Sequence, residues 1–167
     1  GDSIAAGGGN WFNLLGLPPF STRNLAGDGY TLHQISGQIS KALVYRPKTI
    51  LVFGGTNDAF AIQEGRLSIS NELKEDVLKI IELCKDVQCV FVLPPPTLNP
   101  QANSILEQVR ETIKSIAVQN DTVFIDTTLL LTDSEGKIDD KYTCDGVHLT
   151  PIGYDMISRQ IKEVLHK

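Results

Sequence analysis

TILVFGGTND, residues 49–58, decides the fold. Its first five residues are apolar, β-branched or aromatic, Thr49 being the one polar member, and the run stops at Gly54-Gly55. It lacks the polar alternation of a strand wetted on one side, so it reads as a strand covered on both faces, as in a parallel sheet. Two similar runs follow: Cys89–Leu93 (CVFVL), closed by Pro94-Pro95-Pro96, and Thr122–Ile125 (TVFI). Between them the apolar residues change to a helical period. Leu32, Ile35, Ile39 and Leu43 share one face, as do Leu73, Val77, Ile80 and Ile81, and then Ile105, Leu106, Val109, Ile113 and Ile116. A last helix is signalled by Thr150 as cap and Pro151 at its first position, and continues through Ile152, Met156, Ile157, Ile161 and Val164. Strands alternating with helices predict a three-layer α/β/α architecture with a mostly parallel sheet. Sites in such sheets lie beyond the carboxyl ends of the strands, so the chemistry is expected in the loops after these three runs.

The 167 residues suit one domain over positions 1–167, and 41 % apolar against 21 % charged residues is ordinary globular composition. Fifteen basic and twenty acidic residues give a net charge of −5 without clustering, which argues against nucleic acid as a partner. No stretch approaches the ~20 apolar residues of a membrane span, so stable membrane insertion is not expected. With no signal peptide in view, a soluble chain is expected, the cytoplasm slightly favoured over secretion. The three cysteines, Cys84, Cys89 and Cys144, are read as free thiols, although Cys84 and Cys89 are spaced so that they could pair.

Three histidines are present. His33 falls within a helical period and His166 is penultimate, and both read as surface positions. His148 lies in Asp145-Gly146-Val147-His148, directly before the capped helix. A carboxylate three residues before an imidazole can accept its Nδ1–H, which leaves Nε2 as a base. The same spacing also suits a polar loop that only caps a helix. A nucleophile candidate is Ser3, in Gly1-Asp2-Ser3 ahead of the small-residue stretch Ile4–Gly9. Hydrogen-bond donors are offered by Asn24–Gly29 (NLAGDG), a glycine-rich turn entering a helix, and by Gly55-Thr56-Asn57-Asp58 after the first strand. Each piece alone could be an ordinary turn.

Taken in order, GDSI, NLAGDG, GTND and DGVHLTPIGY resemble the four blocks of the SGNH hydrolases, also called GDSL esterases/lipases, over residues 1–154. The resemblance implies a flavodoxin-like fold with about five strands and ester hydrolysis through an acyl-enzyme. It implies Ser3 as nucleophile, His148 as general base and Asp145 as its orienting carboxylate. It implies an oxyanion hole of the Ser3 N–H, the Gly29 N–H and the Asn57 side-chain amide. Ala26 stands where the family usually has glycine, and Cys144 is not a family signature. In the family an apolar strand runs directly into the GDS turn, so a first strand is expected upstream of Gly1.

Rival motifs are absent: no third glycine completes a dinucleotide fingerprint after Gly27-Asp28-Gly29, there is no P-loop lysine, and no G-x-S-x-G elbow occurs. Asp139, Asp140, Asp145 and His148 read as solvated polar groups rather than as metal ligands. The expectation is therefore a serine esterase needing no cofactor and no metal, acting on a small-molecule ester. Short connections leave no room for a large lid and favour short acyl groups such as acetyl, with Trp11, Phe60 and Tyr142 as candidate walls. Carbohydrate deacetylation, O-acetyl transfer, lysophospholipid or thioester cleavage and an inactive binding module are the competing readings. The oligomeric state is not legible.

Overall fold

A computed structural model describes residues 1–8, 11–18 and 20–166. Strands β1 (Thr49–Phe53), β2 (Gln88–Val92) and β3 (Val123–Ile125) form a parallel sheet in the order β1-β2-β3. Thr49 pairs with Gln88 and Phe53 with Val92, while Val90 to Val92 pair with Val123 to Ile125. The helices are α1 (Ser3–Ala6), α2 (Leu32–Leu43), α3 (Thr56–Gln63), α4 (Lys74–Leu83), α5 (Pro100–Gln119), α6 (Thr128–Leu131) and α7 (Pro151–Leu165).

The pleat sends alternate strand residues into two separate cores, and this makes the layers. On one face Ile50, Val52, Cys89, Phe91 and Leu93 pack under α2, α4 and α5 through Leu32, Ile35, Val77, Ile80, Leu106, Val109 and Ile113. On the other, Phe53, Val90, Val92 and Ile125 pack under α1, α6 and α7 through Ile4, Leu131, Tyr154, Ile157 and Ile161. The periods read from the sequence thus mark the buried faces, except that Ile152, in the first turn of α7, is 59 % exposed. Cys84 and Cys89 are buried and Cys144 is exposed, and all three are free thiols.

The expected count of about five strands is not met: the described residues hold three. At the end of β1, Asp2 N–H donates to the Phe53 carbonyl at 3.0 Å without forming a strand. Beyond Ile125 the chain turns into α6 after two residues and adds no further strand. Among the described residues no helix is long and apolar enough to cross a membrane.

Candidate active site

The site is assembled from four chain segments at the carboxyl end of the sheet. Asp2, fully buried, caps α1 by accepting the Ile4 N–H at 3.0 Å, which puts Ser3 in the first turn of a four-residue helix. A residue at that position has no intrahelical partner for its N–H, and none is found for Ser3 among the described residues. Burial raises the Asp2 carboxyl to about 6, partly opposed by the Ile4 N–H. Gly7 and Gly8 of the small-residue stretch lie against the Tyr154 ring, and Gly9 falls outside the described residues.

His148 is held by its own loop. Its carbonyl accepts the Cys144 N–H at 3.0 Å and the Thr143 hydroxyl at 2.9 Å, and Thr143 bridges to Leu149. Thr150 then caps α7 through the Gly153 N–H at 3.3 Å. Asp145 is half exposed, and its Oδ1 accepts the backbone N–H groups of Val147 (3.0 Å) and His148 (2.8 Å). Its Oδ2 lies 2.6 Å from His148 Nδ1, and His148 Nε2 lies 3.0 Å from Ser3 Oγ. The backbone N–H of His148, then its ring, hold the Asp145 carboxyl at about 2. With Nδ1–H donated to this carboxylate, Nε2 is the tautomeric acceptor facing the serine hydroxyl. Ser3 and His148 are 145 residues apart in the chain.

The donor segments are tied to the serine's segment and to each other. Gly27 N–H donates to the Gly1 carbonyl at 3.0 Å, and Asn24 Nδ2 donates to the Ala5 carbonyl at 2.7 Å, so the NLAGDG turn is tied to α1. Gly29 has φ +73°, a conformation that favours glycine, and a Cβ placed there would meet nothing within 4 Å. Its N–H has no partner among the described residues. Asn57 sits in the first turn of α3 and donates one Nδ2 hydrogen to the Tyr30 carbonyl at 3.0 Å. An amide nitrogen carries two hydrogens, so one stays available.

Other candidates fall elsewhere. His33 packs its Nδ1 at 3.1 Å from Asp76 Oδ1 on α4 with its side chain 71 % exposed, and His166 ends α7. Trp11, a candidate wall, is buried instead: it stacks on Tyr154 and donates its indole N–H to the Ala5 carbonyl at 2.9 Å. Phe60 and Tyr142 are half-buried, and Tyr142 lies under Lys141 Nζ. Two residues that shape the site were passed over in the sequence. Tyr154 donates its hydroxyl to the Ile4 carbonyl at 2.7 Å, joining the serine's helix to α7, which follows the histidine's loop. Asp58, fully buried, accepts the Leu32 N–H. Its signal was a carboxylate immediately after Asn57 in a segment otherwise leading into the core.

The model of the GDSL-like lipase/acylhydrolase family matches residues 1–156. Among solved structures, a putative lipolytic protein of the G-D-S-L family from Desulfitobacterium hafniense is similar at TM-score 0.80 and 18 % identity, over 98 % of this chain and 95 % of that one. A GDSL-like lipase from Bacteroides thetaiotaomicron aligns at TM-score 0.79 and 20 % identity, over 99 % and 84 %. An acetyl xylan esterase from Geobacillus stearothermophilus aligns at TM-score 0.69 and 16 % identity, over 84 % and 70 %. At such identities the likeness is one of fold, here three layers, α/β/α. Among curated proteins none matches this chain.

Proposed function

Because this chain belongs to the GDSL-like lipase/acylhydrolase family and is a hydrolase of ester bonds, we propose that it cleaves small short-acyl esters, acetyl first among them, through an acyl-enzyme on Ser3. The observation that carries this reading is the continuous relay from Asp145 Oδ2 to His148 Nδ1 at 2.6 Å and from His148 Nε2 to Ser3 Oγ at 3.0 Å. Both are hydrogen-bond distances for a nucleophile with its base and a base with its orienting group.

Ser3 Oγ attacks the ester carbonyl carbon while its proton passes to His148 Nε2. The charge that develops on the carbonyl oxygen is received by the Ser3 N–H, the Gly29 N–H and the free Asn57 amide hydrogen. As the C–O bond to the alcohol breaks, His148 Nε2–H returns the proton to the leaving oxygen. Water then attacks the acyl carbon, His148 takes its proton, and the Ser3 oxygen departs with that proton restored. Asp145 keeps Nδ1–H donated throughout and stabilises the transient imidazolium.

Short acyl groups are supported by the openness of this face: Gly29 is exposed, Ser3 and His148 are half-buried, and Trp11 is withdrawn into the core. Removal of acetyl groups from carbohydrate is the second reading, favoured by the fold likeness to an acetyl xylan esterase. Chromogenic esters from acetate to long acyl chains, run beside acetylated sugars, test both. Turnover is expected to fall beyond about four acyl carbons. Preference for long chains overturns the short-acyl reading, and release of the acetyl group onto an added alcohol marks a transferase.

A further inference from the structure

Asn57 and Asp58 are neighbours in the first turn of α3, and both hold one turn of the chain. Asn57 Nδ2 donates to the Tyr30 carbonyl at 3.0 Å, while both Asp58 oxygens, at 3.1 and 3.0 Å, accept the N–H of Leu32. The gripped residues flank Thr31 and directly follow Gly29. The turn's own backbone contact, Tyr30 N–H to the Gly27 carbonyl, is 3.4 Å long. At the start of α2, Gln34 accepts the Thr31 N–H at 2.8 Å. The Leu32 N–H is thus left to a partner 26 residues away.

We propose that Asp58 is a positioning residue that locks the Gly29 N–H and the Asn57 amide into one rigid pair of oxyanion donors by clamping the turn they share. The proposal rests on the oxyanion assignment made above. A carboxylate with no exposure is an expensive way to cap a helix, because an ordinary cap sits at the surface and keeps its water. Burial pushes the Asp58 carboxyl to about 7, with Asp76 and Asp2 adding repulsion and the Leu32 N–H opposing it. Retaining such a group makes sense where geometry matters more than stability. Oxyanion donors are of that kind, since displacements of about 1 Å can cost on the order of 10²-fold in rate.

The test is steady-state kinetics on a chromogenic acetate for Asp58→Leu, Asp58→Asn, Asn57→Ala and the two double variants. Leu keeps the branched shape of Asp58, with bulkier methyl groups, and removes the acceptor; Asn keeps one acceptor oxygen. Asp58→Leu should lower kcat about 10- to 100-fold with KM within about twofold, because donors to the oxyanion act in the transition state. Asp58→Asn should recover most of that loss. In the Asn57→Ala background the Asp58 factor should shrink at least threefold, since half of what is positioned has gone. A merely structural role gives the same factor in both backgrounds, and that outcome overturns the proposal. Should Asp58→Leu not fold, Asp58→Ala, which also removes the acceptor, and its double with Asn57→Ala decide by the same comparison: a larger kcat loss with Asn57 present supports the clamp, and equal factors refute it. The reading beneath is judged separately. If Asn57→Ala alone loses less than about tenfold, the oxyanion assignment falls; if it loses 10²–10³-fold while the Asp58 factor is unchanged, only the clamp does.

Discussion

Replacing Asp145 by Asn should be more damaging than replacing it by Ala, although Asn is the closer isostere. The reason is the way the carboxylate divides its work. Oδ1 accepts two backbone N–H groups, from Val147 at 3.0 Å and His148 at 2.8 Å, while Oδ2 faces His148 Nδ1 at 2.6 Å. An Asn side chain must point its oxygen at the two backbone donors, since its NH₂ would meet them donor to donor. The NH₂ then occupies the Oδ2 position and forces Nδ1 to become the acceptor. The proton moves to Nε2, where it opposes the Ser3 hydroxyl 3.0 Å away. The wrong tautomer of a triad histidine costs up to about 10⁴ in kcat, about 5.5 kcal/mol. Asp145 is half exposed, so water can partly relieve the conflict, and we expect a loss of roughly 10³ for Asn. Ala leaves Nδ1 to solvent and free to carry its proton, and should lose about 10–10². The assay is kcat on a chromogenic acetate, with ¹⁵N chemical shifts of the imidazole to identify the tautomer. Equal or greater activity in Asp145→Asn than in Asp145→Ala refutes the assignment of the two oxygens.

Ser3→Ala should abolish covalent labelling by a serine-directed phosphonate, read by intact mass; labelling that persists puts the nucleophile elsewhere. Stability should depend on pH through Asp2 and Asp58, whose carboxyls are raised by burial to about 6 and about 7 from 3.8. A raised carboxyl binds its proton more tightly folded than unfolded. Its contribution is whole below the ordinary carboxylate range and is lost as pH climbs through 6 to 7. Asp145, lowered to about 2, acts oppositely and contributes above the ordinary range. The melting temperature should therefore peak near pH 4–5 and fall toward pH 7, and Asp58→Asn should flatten that fall; an equally steep decline in the variant contradicts the buried-carboxylate account.

Much of the scaffold was legible because it follows from short-range periodicity. TILVF is strand β1 residue for residue, and the apolar stripes at Leu32–Ile39, Leu73–Ile80 and Leu106–Ile116 are the faces buried on the sheet. Thr150-Pro151 marks the start of α7 because capping is a property of adjacent residues. Short-range rules also explain the errors. Ile152 is read into the apolar pattern, but the buried stripe of α7 runs through Tyr154, Ile157, Ser158 and Ile161, and Ile152 falls on the opposite face and remains exposed. Trp11 reads as a potential wall because its composition says nothing of which side it faces, and the stacking on Tyr154 turns it inward.

By itself the sequence determined the layers, the strands that build them and which residue types could carry ester chemistry, since local pattern and residue chemistry suffice for these. Only the tertiary structure decided which groups meet. The Ser3–His148 contact, the Tyr154 link to Ile4 and the Asp58 cap on Leu32 each join residues 26 to 150 positions apart. No local rule encodes such pairs, because they arise when the sheet brings the carboxyl ends of separate strands to one edge.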